Sequence, residues 1–185
     1  EKIMNTKEQI ELNLRPWSEE DFPLLERLMG DPVMTKYIGG PETPEKIRKR
    51  LERYCTDTKV HMFVVVFQQE KIGIGSIGFW EREWHGQRVW ESGWRILPEY
   101  QGRGIATQTI KLIIERARAE QKYRFMHAFP SVENVSSNIL CKKIGFSLQA
   151  EIDFEYPPGN IMRSNDWCLD LFMDLPPESI APKQK

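Results

Sequence analysis

The feature that most constrains this chain is a glycine loop set between a strand-like segment and a long amphipathic helix. Residues 89–97 predict a strand, and apolar side chains at helical spacing predict a helix after the loop. Residues 101–104 read Gln-Gly-Arg-Gly, so a bulky anion can approach the loop backbone closely. The free amides and the dipole of the helix N-terminus predict a pyrophosphate-binding turn. An ordinary strand-to-helix turn is the alternative, since such turns are often rich in glycine.

The predicted elements around this loop describe one mixed α/β domain. Alternating or apolar segments predict strands and periodic segments predict helices, which gives the order βααβββαβαββ. A hydrophobic fraction of 40% in 185 residues is enough for one sizeable core. We expect residues 1–9 to be a flexible N-terminus or residues added for expression, residues 10–175 to form a single domain, and residues 176–185 to be a disordered tail.

Composition and charge argue against several classes of protein. The net charge is only -1 and no apolar run approaches the roughly 20 residues of a membrane span, so we expect neither a nucleic-acid nor a membrane partner. The three cysteines are widely spaced and the three histidines are scattered, so no metal site is predicted. Free thiols and the lack of a signal peptide indicate the cytoplasm.

A second glycine motif, at residues 73–78, matches the G-x-G-x-x-G fingerprint of dinucleotide-binding proteins. That fingerprint requires a strand before it and a helix after it, so that the helix N-terminus faces the pyrophosphate. Here the glycines lie within a strand-like run, and Phe79, Trp80 and a turn follow them. The context therefore disfavours a nicotinamide-dependent oxidoreductase, and the glycines are interpreted as strand residues.

Two blocks of residues resemble the GNAT acetyltransferases. The loop matches the family pattern Q/R-x-x-G-x-G/A with Gln101, Gly104 and Ala106, and residues 93–100 are similar to its GYxLxPEYxGKG stretch. Residues 134–146 resemble the second block, N-x-x-S followed by K-x-G-F. On these blocks and the element order, the chain is identified as a member of the GNAT superfamily. It most resembles the branch of the ribosomal-protein N-terminal acetyltransferases and their relatives.

The resemblance implies a fold and an acetyl donor. The fold is a central, mostly antiparallel, twisted sheet of about seven strands, splayed at the fourth and fifth strands and flanked by four helices. The co-substrate is acetyl-CoA, whose pantetheine arm pairs with the splayed strand and with Asn134, although Asn134 also suits a simple helix cap. The implied coenzyme-binding residues are Ile96, Leu97, Gln101, Gly102, Arg103, Gly104, Ile105, Ala106, Thr107 and Asn134.

The implied reaction is direct attack of an amine on the thioester, which needs a base and stabilisation of an oxyanion. Glu91 is the only carboxylate in the central strand and is the candidate base, unless it merely pairs with Arg88 or Arg95. Burial raises the pKa of such a carboxylate towards neutrality. Many relatives place a tyrosine acid where this chain has Cys141, so Ser137, Cys141 or water remains to protonate the leaving thiolate.

We expect the acceptor to be a cationic amine, either a small molecule or a protein N-terminus, that enters between two predicted loops. Residues 80–85 and 153–159 combine aromatic rings with carboxylates, which attract ammonium groups, although solvated turns look similar. The missing tyrosine keeps a second function open, a non-catalytic acyl-CoA sensor. A monomer or a homodimer is expected. The candidate substrate-binding residues are Trp80, Glu81, Glu83, Trp84 and Glu155.

Overall fold

The computed structural model describes residues 10–173, and within them the expected order βααβββαβαββ is confirmed. The strands are β1 (Leu12–Pro16), β2 (Val60–Phe67), β3 (Ile72–Trp84), β4 (Gln87–Ile96), β5 (Phe125–Ala128), β6 (Ser147–Glu155) and β7 (Ile161–Asp170). The helices are α1 (Phe22–Gly30), α2 (Pro44–Thr56), α3 (Ile105–Glu120) and α4 (Val135–Ile144). The predicted N-terminal segment 1–9 and tail 176–185 lie outside the described residues.

All seven strands of the described chain belong to one sheet, in the order β1-β2-β3-β4-β5-β7-β6. Neighbouring strands are antiparallel, except for the parallel pair β4 and β5. That pair is joined at only two positions, Trp90 with Met126 and Glu91 with His127. Beyond Glu91 the two strands diverge, and this gap is called the strand opening below. The predicted splay is thus confirmed, but it begins closer to the start of β4 than Ile96 and Leu97, where it was expected.

Helices cover both faces of the sheet, and the period of two along each strand divides the core between them. On β2, Val64 packs with residues of α1 and α2, whereas the next residue, Val65, packs with residues of α3. Leu28 and Leu51 are fully buried on the first face, and Ile113 is fully buried on the second. Each such side chain contributes about 1.5–3 kcal/mol relative to exposure. Among the described residues, no helix has the length and apolar character that a membrane crossing requires.

The prediction that residues 80–85 form a loop was wrong, because β3 continues to Trp84. Every residue from Trp80 to Trp84 pairs with β4. The connection is only His85 and Gly86, and both have positive φ, 49° and 74°. This is the backbone geometry that joins two strands with the twist of a hairpin. The local sequence predicted a turn at this place but not that the two strands would remain paired as far as the turn.

The predicted ends of three other strands also needed correction. Pro16, expected to break β1, is its last residue and is tolerated because β1 lies at the edge of the sheet. β6 extends to Glu155, and β7 begins at Ile161 rather than near Trp167. The predicted loop 153–159 is therefore shorter, since its first residues belong to the β6–β7 hairpin.

An ion pair between the buried Asp21 and the half-exposed Arg15 fixes the start of α1 against the edge strand. Asp21 accepts hydrogen bonds from the Ser18 backbone N–H at 2.8 Å and the Ser18 hydroxyl at 3.0 Å. Both of its oxygens also accept from the Arg15 guanidinium, at 2.7 and 2.6 Å. Burial alone raises the pKa of Asp21, but the hydrogen bonds from Arg15 and Ser18 outweigh it and hold the pKa below its ordinary value. The pair therefore stabilises the fold wherever Asp21 is ionised.

We expect Asp21→Asn to lower the free energy of unfolding by about 1–3 kcal/mol at neutral pH, because charge-assisted hydrogen bonds to a buried group are lost. Since the folded-state pKa is lowered, the contribution is present above the unfolded pKa and disappears as the pH falls through the folded one. Urea unfolding at neutral pH and at about pH 2 measures this difference. The matched control is Glu20→Gln, at an exposed neighbouring carboxylate. A deficit that persists unchanged in acid contradicts the assignment.

Candidate active site

A cavity of about 480 Å³ lies at the strand opening, on the face of the sheet that carries α1 and α2. Its floor includes Glu91 and Arg95 of β4, and its far side includes Asn134 and Ser137 at the start of α4. Aromatic and basic side chains from α2 and from the β6–β7 hairpin form its outer walls. The cavity therefore connects the diverging backbone of β4 with a polar, aromatic chamber large enough for a small ligand.

The glycine loop before α3 has the backbone geometry of an anion site. Gly102 and Gly104 have φ values of 74° and 78°, in the left-handed region that favours glycine. Gly104 is the N-cap of α3 and provides no side-chain cap, and the first helical bond runs from Gln108 to its carbonyl. A Cβ added at either glycine would meet nothing within 4 Å, so the loop surface is open. The amides left without a helical acceptor belong to Ile105, Ala106 and Thr107.

Gln101 ties this loop to the strand opening. The Leu97 N–H bonds the Ile74 carbonyl of β3 at 2.9 Å, so the backbone groups of Ile96 face the opposite edge of β4. The side-chain amide of Gln101 donates to the Ile96 carbonyl at 2.7 Å. Arg103 donates to the Glu99 carbonyl at 3.1 Å, further bracing the loop. The backbone groups of Trp94, two residues before Ile96, lie on the same edge of β4 and face the strand opening. Unlike the Ile96 carbonyl, they are not bonded by Gln101.

The start of α4 brings two predicted residues to the cavity. Asn134 is the N-cap of α4, and its side-chain oxygen accepts from the Ser137 N–H at 3.2 Å. Capping and cavity lining thus coexist at Asn134, since its side-chain amide nitrogen takes no part in the cap. Ser137 also lines the cavity. Cys141, by contrast, is fully buried beneath the helix, and burial raises the pKa of its thiol to about 12.

Glu91 occupies the last position at which β4 pairs with β5 and is buried at the floor of the cavity. Its partner is neither Arg88 nor Arg95, as considered from the sequence, but Arg82 of β3, at 2.6 Å. Burial raises the pKa of Glu91 above its ordinary value, although the charge and hydrogen bond of Arg82 act against the shift. A carboxylate of raised pKa at a ligand cavity is suited to proton transfer.

Beside Glu91 lies a buried pair that sequence analysis missed. His127 is the β5 neighbour of Glu91, and its Nδ1 lies 2.6 Å from a carboxylate oxygen of Asp166. The other oxygen of Asp166 accepts from the Trp84 indole at 3.0 Å. The available signal was a titratable residue inside an apolar strand, as in the run Phe-Met-His-Ala-Phe at 125–129. In residues 10–173 no three His, Cys, Asp or Glu side chains gather as a metal site.

The predicted substrate-binding residues are not brought together. Trp80 lines the cavity beside Glu91. Glu81 points to the opposite face of the sheet, where its carboxylate pairs with Lys122 and, at 3.8 Å, with Arg88. The remaining three do not border the cavity: Glu83 is exposed, Trp84 packs on Phe129, and Glu155 accepts from the Gly159 N–H at 2.7 Å. Carboxylates of these two segments therefore do not line the cavity as a group.

Comparison with known families gives a direct match over most of this fold. The model of the acetyltransferase (GNAT) domain matches residues 11–147, which include the glycine loop and α4. The chain belongs to the GNAT acetyltransferase family. The predicted family, fold and N-acyltransferase class are thereby confirmed, with acetyl-CoA as the acetyl donor and an amine as the acceptor.

Individual GNAT proteins agree with this membership. An uncharacterized N-acetyltransferase, YnaD of Bacillus subtilis, is 26% identical over 149 residues, covering 80% of this chain and 86% of that protein. The spermidine N-acetyltransferase of Vibrio cholerae, solved with CoA and spermine, superposes with a TM-score of 0.73 at 20% identity. The match covers 86% of this chain and 95% of that protein. The ribosomal-protein-S5-alanine acetyltransferase of Vibrio fischeri superposes with a TM-score of 0.71 at 18% identity. The match covers 91% of this chain and 98% of that protein. At these identities the two structures show a shared fold, not a shared acceptor.

We expect Gly104→Glu to abolish the thermal stabilisation that acetyl-CoA gives the wild-type protein, because a carboxylate would stand among the loop amides. The matched control is Gly86→Glu in the β3–β4 turn. Gly86 has a similar φ of 74° and equally open surroundings, so both variants carry the same charge and comparable backbone strain. Differential scanning fluorimetry with and without acetyl-CoA makes the comparison. Equal stabilisation of both variants would refute the phosphate assignment.

Proposed function

We propose that this GNAT domain transfers the acetyl group of acetyl-CoA directly to a primary amine, with Glu91 as the general base. The observation that carries the proposal is the position of Glu91, buried at the cavity floor where β4 and β5 separate. The thioester would reach this point through the strand opening, and the amine would arrive from the cavity on the other side. One carboxylate then stands where the two substrates meet.

The coenzyme would be held mainly by backbone groups. The amides of Ile105, Ala106 and Thr107, with the exposed glycines before them, suit the pyrophosphate. The pantetheine arm would add to the free edge of β4 as an extra strand does, using the backbone groups of Trp94, with Asn134 on its other side. A β4 N–H at this edge would also hold the thioester oxygen as negative charge develops on it. Most of the binding contacts thus depend on backbone conformation rather than on side-chain identity.

Proton transfer would centre on Glu91. The attacking amine is an ammonium in solution and must lose a proton, directly or through water, to the ionised carboxylate of Glu91. Burial raises the pKa of Glu91 and makes it a stronger base, while the charge and hydrogen bond of Arg82 limit that rise. The amine nitrogen then bonds to the carbonyl carbon, the tetrahedral intermediate collapses, and the C–S bond breaks.

The leaving thiolate would take up the second proton that the acetylated nitrogen releases, relayed by Ser137 or by water. Ser137 lines the cavity, whereas Cys141, at the position of the usual tyrosine, is buried and does not border it. A pKa of about 12 for Cys141 also argues against a thiolate nucleophile, and hence against a covalent acetyl-cysteine. Direct transfer in a ternary complex is the simpler mechanism for this arrangement.

A cytoplasmic location and a monomeric or homodimeric state complete the proposal. The three cysteines are all free thiols, which suits a reducing compartment. The non-catalytic sensor remains the alternative function. Release of coenzyme A thiol from acetyl-CoA in the presence of primary amines separates the two, because a sensor binds the coenzyme and releases no thiol.

We expect Glu91→Gln to lower kcat by roughly 10- to 1000-fold while coenzyme affinity stays nearly intact, because the base is lost and the loop is untouched. The acid limb of the pH–rate profile should flatten as well. Thiol-release kinetics across pH measure both effects, with Glu52→Gln on the exposed face of α2 as the control. Unchanged kcat together with an unchanged profile would assign Glu91 a structural role.

We expect Arg82→Gln to move the acid limb of the same profile to higher pH. Arg82 lowers the pKa of Glu91 through its charge and hydrogen bond, so its removal raises that pKa and protonates the base at a higher pH. At a pH above both values, kcat should change much less than in the Glu91 variant. A limb that stays in place, or moves to lower pH, contradicts the coupling of these two residues.

A further inference from the structure

We infer that the acceptor amine also carries an anionic group, which Arg95 binds in the same cavity. This inference rests on the proposed acetyl transfer and adds the chemical class of its acceptor. It differs from the cationic amine expected from the sequence, whose supporting carboxylates lie outside the cavity or face away from it.

Arg95 is the central observation. It lies on β4, on the same face of the sheet as Glu91, and is half-buried along the cavity floor. Within residues 10–173 its guanidinium has no hydrogen bond or ion pair. A guanidinium held partly out of water without a directly bonded anion is costly, and its planar donors match a carboxylate or phosphate. Arg82, the other arginine on this face of the hairpin, is already paired with Glu91.

Two arginines of α2 add to the positive charge around Arg95. Arg50 and Arg53 both border the cavity, and Glu42 is the one carboxylate paired with either of them in the described chain. Burial alone raises the pKa of Glu42, but its bond to Arg50 and the charges of Arg50, Arg95 and Arg53 bring the pKa below its ordinary value. Three guanidinium groups thus surround a single carboxylate, and Arg50 is the one that it neutralises.

The charge around the whole cavity favours the same class of ligand. Basic residues that border the cavity outnumber acidic ones six to three. When the pairs Glu91–Arg82 and Glu81–Arg88 are set aside, four basic residues remain against Asp57, namely Arg50, Arg53, Lys59 and Arg95. A polyamine would bring further positive charge into this field. An amine with an anion at its far end would instead neutralise the excess.

The spacing of the two groups limits the shape of the acceptor. Glu91 and Arg95 are four residues apart on one strand, so their Cα atoms are separated by about 13 Å. An ω-amino acid, or a peptide N-terminus with a nearby acidic side chain, spans this distance when both side chains stand upright from the strand. A shorter acceptor, such as an α-amino acid that reacts at its own α-amine, requires Arg95 to bend towards Glu91.

Three amines with the same aminopentyl chain test this class in a thiol-release assay: ε-aminocaproate, pentylamine and cadaverine. Their far ends are anionic, neutral and cationic, and the reacting amine is the same. We expect kcat/KM to fall in that order for the wild-type protein. Arg95→Gln should reduce kcat/KM for ε-aminocaproate by about 10- to 100-fold and change it little for pentylamine. Arg95→Lys should retain part of the preference, and Arg116→Gln, at an exposed arginine of α3 that does not border the cavity, should retain all of it.

A binding measurement keeps the test independent of catalysis. With coenzyme A present, ε-aminocaproate should raise the Tm of the wild-type protein more than cadaverine does, and Arg95→Gln should remove the difference. A preference for cadaverine, or a Tm difference that survives in Arg95→Gln, overturns the anion site. An equal loss for all three amines with a raised KM for acetyl-CoA also overturns it, and assigns Arg95 to the coenzyme. Absence of thiol release alongside an intact Tm difference contradicts the acetyl transfer but not the anion site.

Discussion

The rest of the site depends on the short parallel pairing between β4 and β5. Backbone N–H and C=O groups inside a protein need partners, and a sheet normally provides them along its whole length. Here the pairing stops at Glu91 and His127, so the remainder of β4 is left with one free edge inside the molecule. Gln101 satisfies part of that edge through the Ile96 carbonyl. The unsatisfied part is a ready site for an extended, amide-bearing ligand such as pantetheine.

The same break in pairing also determines which charged side chains border the cavity. After Glu91, β4 has no neighbouring strand on its β5 side, so the α1/α2 face opens there into a cavity instead of closing over a core. Glu91 stands at that boundary, buried enough to have a raised pKa and paired with Arg82 on the adjacent strand. His127 and Asp166 hold the β5 side of the boundary in place. Backbone topology thus decides which titratable groups meet the substrates.

Sequence analysis reached the fold and the coenzyme loop because both depend on local patterns. The glycines at 102 and 104 and the amphipathic helix after them specify the geometry of the coenzyme loop almost without reference to the rest of the chain. The geometry of the acceptor side depends instead on the pairing of strands that are distant in sequence. Predicting β3 to end at Trp80 instead of Trp84 placed Arg82 in a loop and hid its contact with Glu91. His127 and Asp166 are 39 residues apart in sequence and meet only through the β5–β7 ladder, which no local pattern encodes.

The proline that ends β1 has a consequence beyond the chemistry of the site. An open sheet has two edges, here β1 and β6, and either could template strand addition by a second molecule. Pro16 has no backbone N–H to offer, which weakens β1 as a template. On β6, Glu151 and Asp153 project outward and are both paired with Arg163, placing charge along that rim. Both borders of the sheet therefore oppose edge-to-edge aggregation, and the internal strand opening is left as the place where this sheet accepts an added strand.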